Sequence, residues 1–256
     1  MAQQAGQVSP DGGWLWNGSE WVRNLPAVAE ALEVPWARPY ESPLYRSKLA
    51  TIFILTNVGA LVVAILADVL EIALLAQNAV SDTQSTIAQG LATASVILYY
   101  LTLVPAIVFF CLWLHRIVRN MPALGSPDAR WSPSGAVWRC FLPIFSLFHP
   151  LVATRDAWRA SDPAQRFLDL GRRFALDIPL FFAGWWALWL LGPLTVDLGD
   201  GMTNSNDMQT FTRGIWIDGL GNMMLILSAG LAIGVVREIT RRQDRKNELI
   251  VTGQLA

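Results

Sequence analysis

SGAVWRCFLPIFSLFHPLVAT, residues 134–154, is the apolar stretch of this 256-residue chain whose path decides the fold. Its unbroken apolar core runs from Cys140 to Phe148 and is interrupted by Pro143 and Ser146. At 1.5 Å per helical residue that core covers about 14 Å, under half of a hydrocarbon layer of roughly 30 Å. Arg139 precedes it and His149-Pro150 ends it. The stretch is too short to cross, so it is expected to enter and leave on one side as a re-entrant or interfacial broken hairpin.

Working outward, four other runs are long enough to cross. Leu49 to Ala67 is uncharged and continues apolar to Ala76 through Asp68 and Glu71, and Leu91 to Leu114 carries no charge at all. Ile178 to Val196 is uncharged, with an approach from residue 174, and Gly219 to Val236 is preceded by Ile215 to Asp218. Isolated spans in lipid must satisfy their own backbone, which makes them helices. The expected fold is an all-α membrane protein. Four transmembrane helices lie at about 49–76, 91–114, 174–196 and 215–236 within a membrane domain of residues 48–246, and the re-entrant hairpin lies at 134–154. Residues 1–47 and 247–256 are expected to be tails.

The positive residues give the orientation. Arg23, Arg38, Arg46 and Lys48 precede the first span, and Arg116, Arg119, Arg130 and Arg139 follow the second. Arg155, Arg159, Arg166, Arg172 and Arg173 precede the third, and Arg237, Arg241, Arg242, Arg245 and Lys246 follow the fourth. Arg213 stands alone in a loop on the other side. Short Arg-rich loops stay cytoplasmic, so cytoplasmic termini put eighteen of the nineteen inside. A crossing at 134–154 would export one Arg-rich block.

Composition agrees with lipid as the main solvent. Only 15% of residues are charged and the mean hydropathy is +0.38, against roughly 25% charged in soluble domains. Cys111 and Cys140, 29 residues apart in apolar surroundings, form neither a zinc pattern nor a disulfide framework. The beginning, Met1 to Ser47, lacks a basic-then-apolar signal pattern, so the first span is expected to stay as an anchor.

Two local signals refine the ends. Asp162-Pro163 reads as an N-cap and first-turn pair, so a helix is expected to start there and run into the third span. Arg173 and Asp177, at i and i+4, would neutralise each other at the interface. Near the beginning, Trp14-Leu15-Trp16-Asn17-Gly18-Ser19-Glu20-Trp21-Val22 places an Asn-Gly pair between aromatic arms. That pair suits a two-residue hairpin turn, with Trp14, Trp16 and Trp21 on one face as a docking element. Pro26, Pro35, Pro39 and Pro43 suggest an extended tether from it to the membrane.

The run Leu114-His115-Arg116-Ile117-Val118-Arg119-Asn120-Met121-Pro122-Ala123-Leu124-Gly125 is followed by Trp131-Ser132-Pro133, Ala136-Val137-Trp138, Phe141-Leu142-Pro143, His149-Pro150 and Arg155-Asp156-Ala157-Trp158-Arg159. It resembles the bacterial membrane family catalogued as domain of unknown function 4328, over roughly Leu49 to Arg242. Ser146 departs from the family pattern, which has Asn there. The N-terminal pattern is similar to short tryptophan-rich motifs that precede bacterial membrane domains. The resemblance implies a fold and a multi-pass place in the bacterial inner membrane, but no activity.

Several constellations are candidates for function. Arg116, Arg119, Asn120 and Arg139 converge beside the broken hairpin. They would either serve topology, anchor the hairpin's freed carbonyls, or hold an anionic head group. Asp68 follows an uncharged run, with Asn57, Asp218 and Asn222 as polar company inside the membrane. Asp68, Glu71, Asp82, Asp197, Asp200, Asp207 and Asp218 make the outer side acidic, as positive-inside sorting alone would. Gly230 and Gly234 fit a small-xxx-small packing pattern. Trp185, Trp186 and Trp189 would fill the bundle or face lipid. His115 and His149 lack the acidic partners of a metal site, and no nucleotide-binding glycine loop, zinc-protease motif or nucleophile elbow is present.

These features point to a non-enzymatic module without cofactor, metal or nucleic acid. It would bind a protein partner at the cytoplasmic face, with anionic lipids along its C-terminal basic run. A small-solute or ion permease using the re-entrant segment is the alternative, and a lipid-modifying enzyme the third.

Overall fold

Uncharged runs of twenty or so residues have no stable state in lipid but helix, and here the helices extend beyond those runs. The computed structural model describes residues 7, 9, 14–16, 21–23, 36–77, 81–126, 131–164 and 179–254. Among these, four helices are long and apolar enough to cross a membrane: α1 (Leu44–Leu75), α2 (Asp82–Asn120), α5 (Leu180–Thr203) and α6 (Met208–Val251). Each expected crossing matches one of them. The helices are longer than the apolar runs because the polar residues at their ends continue the hydrogen-bond ladder.

Local chemistry starts and stops them. Ser81 and Gln84 form a reciprocal capping box at the head of α2. Asp207 caps α6, accepting from Thr210 N at 2.9 Å. Asp82 and Asp207 therefore serve helix starts. After α2 the chain turns through Gly125 at φ 84°, and after α6 through Gly253 at φ 68°, a region that favours glycine.

The stretch at 134–154 is broken as its prolines require. It forms α3 (Pro133–Trp138), two 3-10 turns (Arg139–Phe141 and Phe145–Leu147) and α4 (His149–Ala160). Its longest piece has 12 residues, about 18 Å of rise, too little to cross. Trp131-Ser132-Pro133 proves to be the cap of α3: Ser132 Oγ accepts from Gly135 N at 3.1 Å, with Pro133 in the first turn. The hairpin then folds back, bringing a His149 ring nitrogen to 2.9 Å from Ala136 O.

Helix α1 packs on α2 and α6, and α6 packs most extensively on α5. The buried core lies toward the Arg-rich end, around Trp113, Ile117, Phe182, Val236 and Ile239, with Ala153 and Ala157 of α4 against it. Trp113 Nε1 donates to Thr240 Oγ1 at 3.0 Å.

The close packing of α5 on α6 comes from glycines other than the expected pair. A Cβ on Gly199 would lie 2.5 Å from Asp218 N, and one on Gly214 2.9 Å from Gly199 O. A Cβ on Gly221 would lie 2.7 Å from Val196 N and 3.0 Å from Gly192 O. Gly192, Gly199, Gly214 and Gly221 thus form a seam where backbone meets backbone. Around Gly230, by contrast, 4 Å of space is open, and Gly234 meets only Phe181 at 3.8 Å. The Gly230–Gly234 pattern does not bring helices together.

Near the beginning, β1 (Trp14–Trp16) and β2 (Trp21–Arg23) pair antiparallel with Trp16 opposite Trp21 and Trp14 opposite Arg23. This register centres between Gly18 and Ser19, one position beyond Asn17-Gly18. The turn itself lies outside the described residues. So do Arg130, the expected Arg173–Asp177 pair and the helix expected to run on from Asp162-Pro163, although Asp162 Oδ1 does accept from Ala164 N at 3.0 Å.

Candidate functional site

The Arg-rich end of the bundle is organised around a short strap just before α1. Pro39 and Pro43 keep the strap extended, and Glu41 between them reaches α2. Its carboxylate pairs with Arg116 and with Arg119, the latter at 2.7 Å. Asn120, fully buried, reads the strap's backbone: its Nδ2 donates to Glu41 O at 2.9 Å and its Oδ1 accepts from Glu41 N at 3.3 Å. Asn120 Nδ2 also donates to Gln243 Oε1 at 3.0 Å, and Gln243 Nε2 donates to Ile117 O at 2.9 Å. Tyr40 donates to Asp244 Oδ1 at 2.7 Å. Burial, then the hydrogen bond to Asp244, raises the Tyr40 phenol above its ordinary value, so it stays a donor.

Arg116 and Arg119 therefore clamp the N-terminal strap, and their described ion pairs are with Glu41 rather than with the broken hairpin. The hairpin's freed carbonyls find donors nearer by. Ser146 Oγ donates to Pro143 O at 2.8 Å and Trp186 Nε1 to Leu147 O at 2.7 Å. Arg139 donates to Gly135 O at 3.1 Å and lies 3.9 Å over the Trp131 ring. His149 is buried against Trp131, and burial lowers its pKa below the ordinary value. The neutral ring then carries its proton on Nε2, toward Ala136 O. Cys140 donates to the same carbonyl at 3.3 Å, and burial pushes its thiol up to about 12.

The hairpin's far end meets α6 as well. Lys246, buried, donates to Ala160 O at 2.8 Å. Arg242 pairs with Asp162 at 3.4 Å and stacks 4.2 Å over Trp158. The exposed positions of the basic run, Arg241 and Arg245, pair with Glu238 and Glu248 at i,i+3. The end of α2 meets Gln243 and the end of α4 meets Lys246, one turn apart on α6. The ends of α2 and α4 therefore lie at one end of the bundle, and Tyr40–Asp244 brings the strap to that same end.

The intramembrane polar group divides. Asp218 Oδ2 accepts from Asn222 Nδ2 at 2.8 Å, and Asp68 of α1 faces Asp218 across the helix interface. Asn57 stands three turns away, donating to Tyr99 O at 3.2 Å and Thr102 Oγ1 at 3.0 Å. Asp68, Asp218 and Asn222 come together, and Asn57 does not join them. Sequence reasoning missed Tyr40, Glu41, Gln243 and Asp244. The signal available was an acid between two prolines, next to an Arg-rich membrane face.

A family model described as Domain of unknown function (DUF4328) matches residues 76–241. No curated protein and no solved structure matches the chain.

Proposed function

The chain belongs to the DUF4328 family, and we propose that it is a non-enzymatic module of the bacterial inner membrane that holds its tryptophan hairpin at the cytoplasmic face for a protein partner. The observation that carries this reading is the strap. A buried Asn120 and two arginines hold Glu41 against the bundle, which fixes the chain just before α1 to one face. The Arg-rich character of that face supports a cytoplasmic position, with both termini inside and 134–154 re-entrant from that side. Anionic head groups near the exposed arginines of the C-terminal run fit the same orientation.

Orientation has its own check. Reporter fusions before Met1 and after Ala256 should both read as internal, and an external reading at either end would overturn the topology. The partner role is checked by Leu15→Pro with Val22→Pro, which places two prolines in the β1–β2 ladder. Proline removes a ladder donor, so the variant should reach the membrane normally yet lose co-purifying protein in mild detergent. Unchanged capture would make the hairpin a mere tether.

A further inference from the structure

We propose that a cavity between α2 and α5 binds a single hydrocarbon chain of a membrane lipid. The four long helices do not close into a square bundle. Helices α1 and α6 form a floor, while α2 and α5 stand apart above it, bridged at one level by Phe110 and Trp185 with ring centroids 5.8 Å apart. The space left between them measures about 310 Å³. Leu103 and Ala106 line it from α2, Trp189 from α5, and Ala229 from α6. The broken hairpin closes its end toward the Arg-rich face with Phe141 and Leu147.

The lining specifies the chemistry of the occupant. Four of its polar side chains have their donors turned into the protein. Asn57 donates to Tyr99 and Thr102, Ser228 Oγ to Trp185 O at 3.0 Å, Trp186 to Leu147 O, and Ser146 to Pro143 O. A water needs two to four polar partners, and an apolar cavity of roughly 150 Å³ stays dry and accepts benzene. This cavity has about twice that volume. Phe141 is 55% exposed and Leu147 44% exposed while both also line the cavity. They close the end of the cavity toward the Arg-rich face but leave it open sideways at the hairpin, and an entrance lined by exposed apolar side chains suits a chain arriving from lipid. A fatty acyl tail and a polyprenyl tail share that chemistry, and each would enter from the leaflet nearest the Arg-rich end.

The test is native mass spectrometry of the full chain, delipidated and then offered either a diacyl phosphatidylglycerol or a polyprenyl phosphate. One lipid should remain per chain, and which of the two remains identifies the tail. Ala229→Phe puts a ring into the cavity and should weaken retention about tenfold, the equivalent of two methylenes denied burial. Its Tm should hold. If that variant fails to fold, Ala106→Met fills the space from the facing wall and should weaken retention in the same sense. Retention of neither lipid, or equal retention by the parent and a folded cavity-filled variant, would overturn the assignment. The site does not depend on the partner reading, since Ala229→Phe should leave protein capture through β1 and β2 intact.

Discussion

Gly199→Ala combined with Gly221→Ala is expected to lower the Tm in detergent by several degrees, whereas Gly230→Ala should leave it unchanged or raise it. All three changes gain helix propensity, by up to about 1 kcal/mol each, so propensity predicts one sign for all of them. Packing separates them. The new Cβ at residue 199 would sit 2.5 Å from Asp218 N and 2.8 Å from Gly214 O, and both are backbone atoms that no rotamer change can move. At residue 221 it would meet Val196 N at 2.7 Å. Helices α5 and α6 must then separate, and overpacking of this kind costs roughly 1–3 kcal/mol per site. Lipid gives no hydrophobic drive that would hold helices together at a wider spacing. At residue 230 the space is open. Parent-like melting of the double variant alongside a destabilised Gly230→Ala would remove the seam from the account of the fold.

How much of this was legible in the sequence follows from the range of each signal. Hydropathy is local, so each of the four long apolar helices was visible as an uncharged run. The break at 134–154 was visible too, because Pro143, Pro150 and nine apolar residues bound its length without reference to anything else. The glycine seam was not, because its spacing of seven is split between two helices and becomes a pattern only once they are antiparallel neighbours. Gly230 and Gly234 looked better simply because they are close together in the chain. The same limit explains Asn57, which looked like company for Asp68 but lies about 16 Å away along α1. In the N-terminal hairpin the register pairs Trp16 with Trp21, and the turn that the Asn-Gly pair was expected to make lies outside the described residues. The Glu41 clamp joins residues 79 positions apart, and no local pattern announces a contact of that range.

That clamp is the basis of the second large effect. Asn120→Leu is expected to free the strap more completely than Glu41→Gln, and the two should respond differently to salt. Glu41→Gln keeps the shape but leaves Arg116, with an 11% exposed side chain, and Arg119 without their carboxylate. Exposed ion pairs contribute about 0–1 kcal/mol and breaking a buried pair costs roughly 3–5. The Glu41 side chain is 49% exposed, so solvent screening holds the loss to about 1–2 kcal/mol. Asn120→Leu instead strands the fully buried Gln243 Oε1, at roughly 1–3 kcal/mol, and removes both part-buried bonds to the Glu41 backbone. Limited proteolysis between Tyr40 and Pro43 should therefore be faster in Asn120→Leu than in Glu41→Gln. Raising salt should narrow the gap between Glu41→Gln and the parent, because screening already weakens the parent's pair. It should leave the Asn120→Leu gap in place. Both variants keep every Arg and Lys, so orientation should not change. A strap that stays protected in Asn120→Leu would show that the Glu41 pairs with Arg116 and Arg119, together with Tyr40–Asp244, hold it without Asn120.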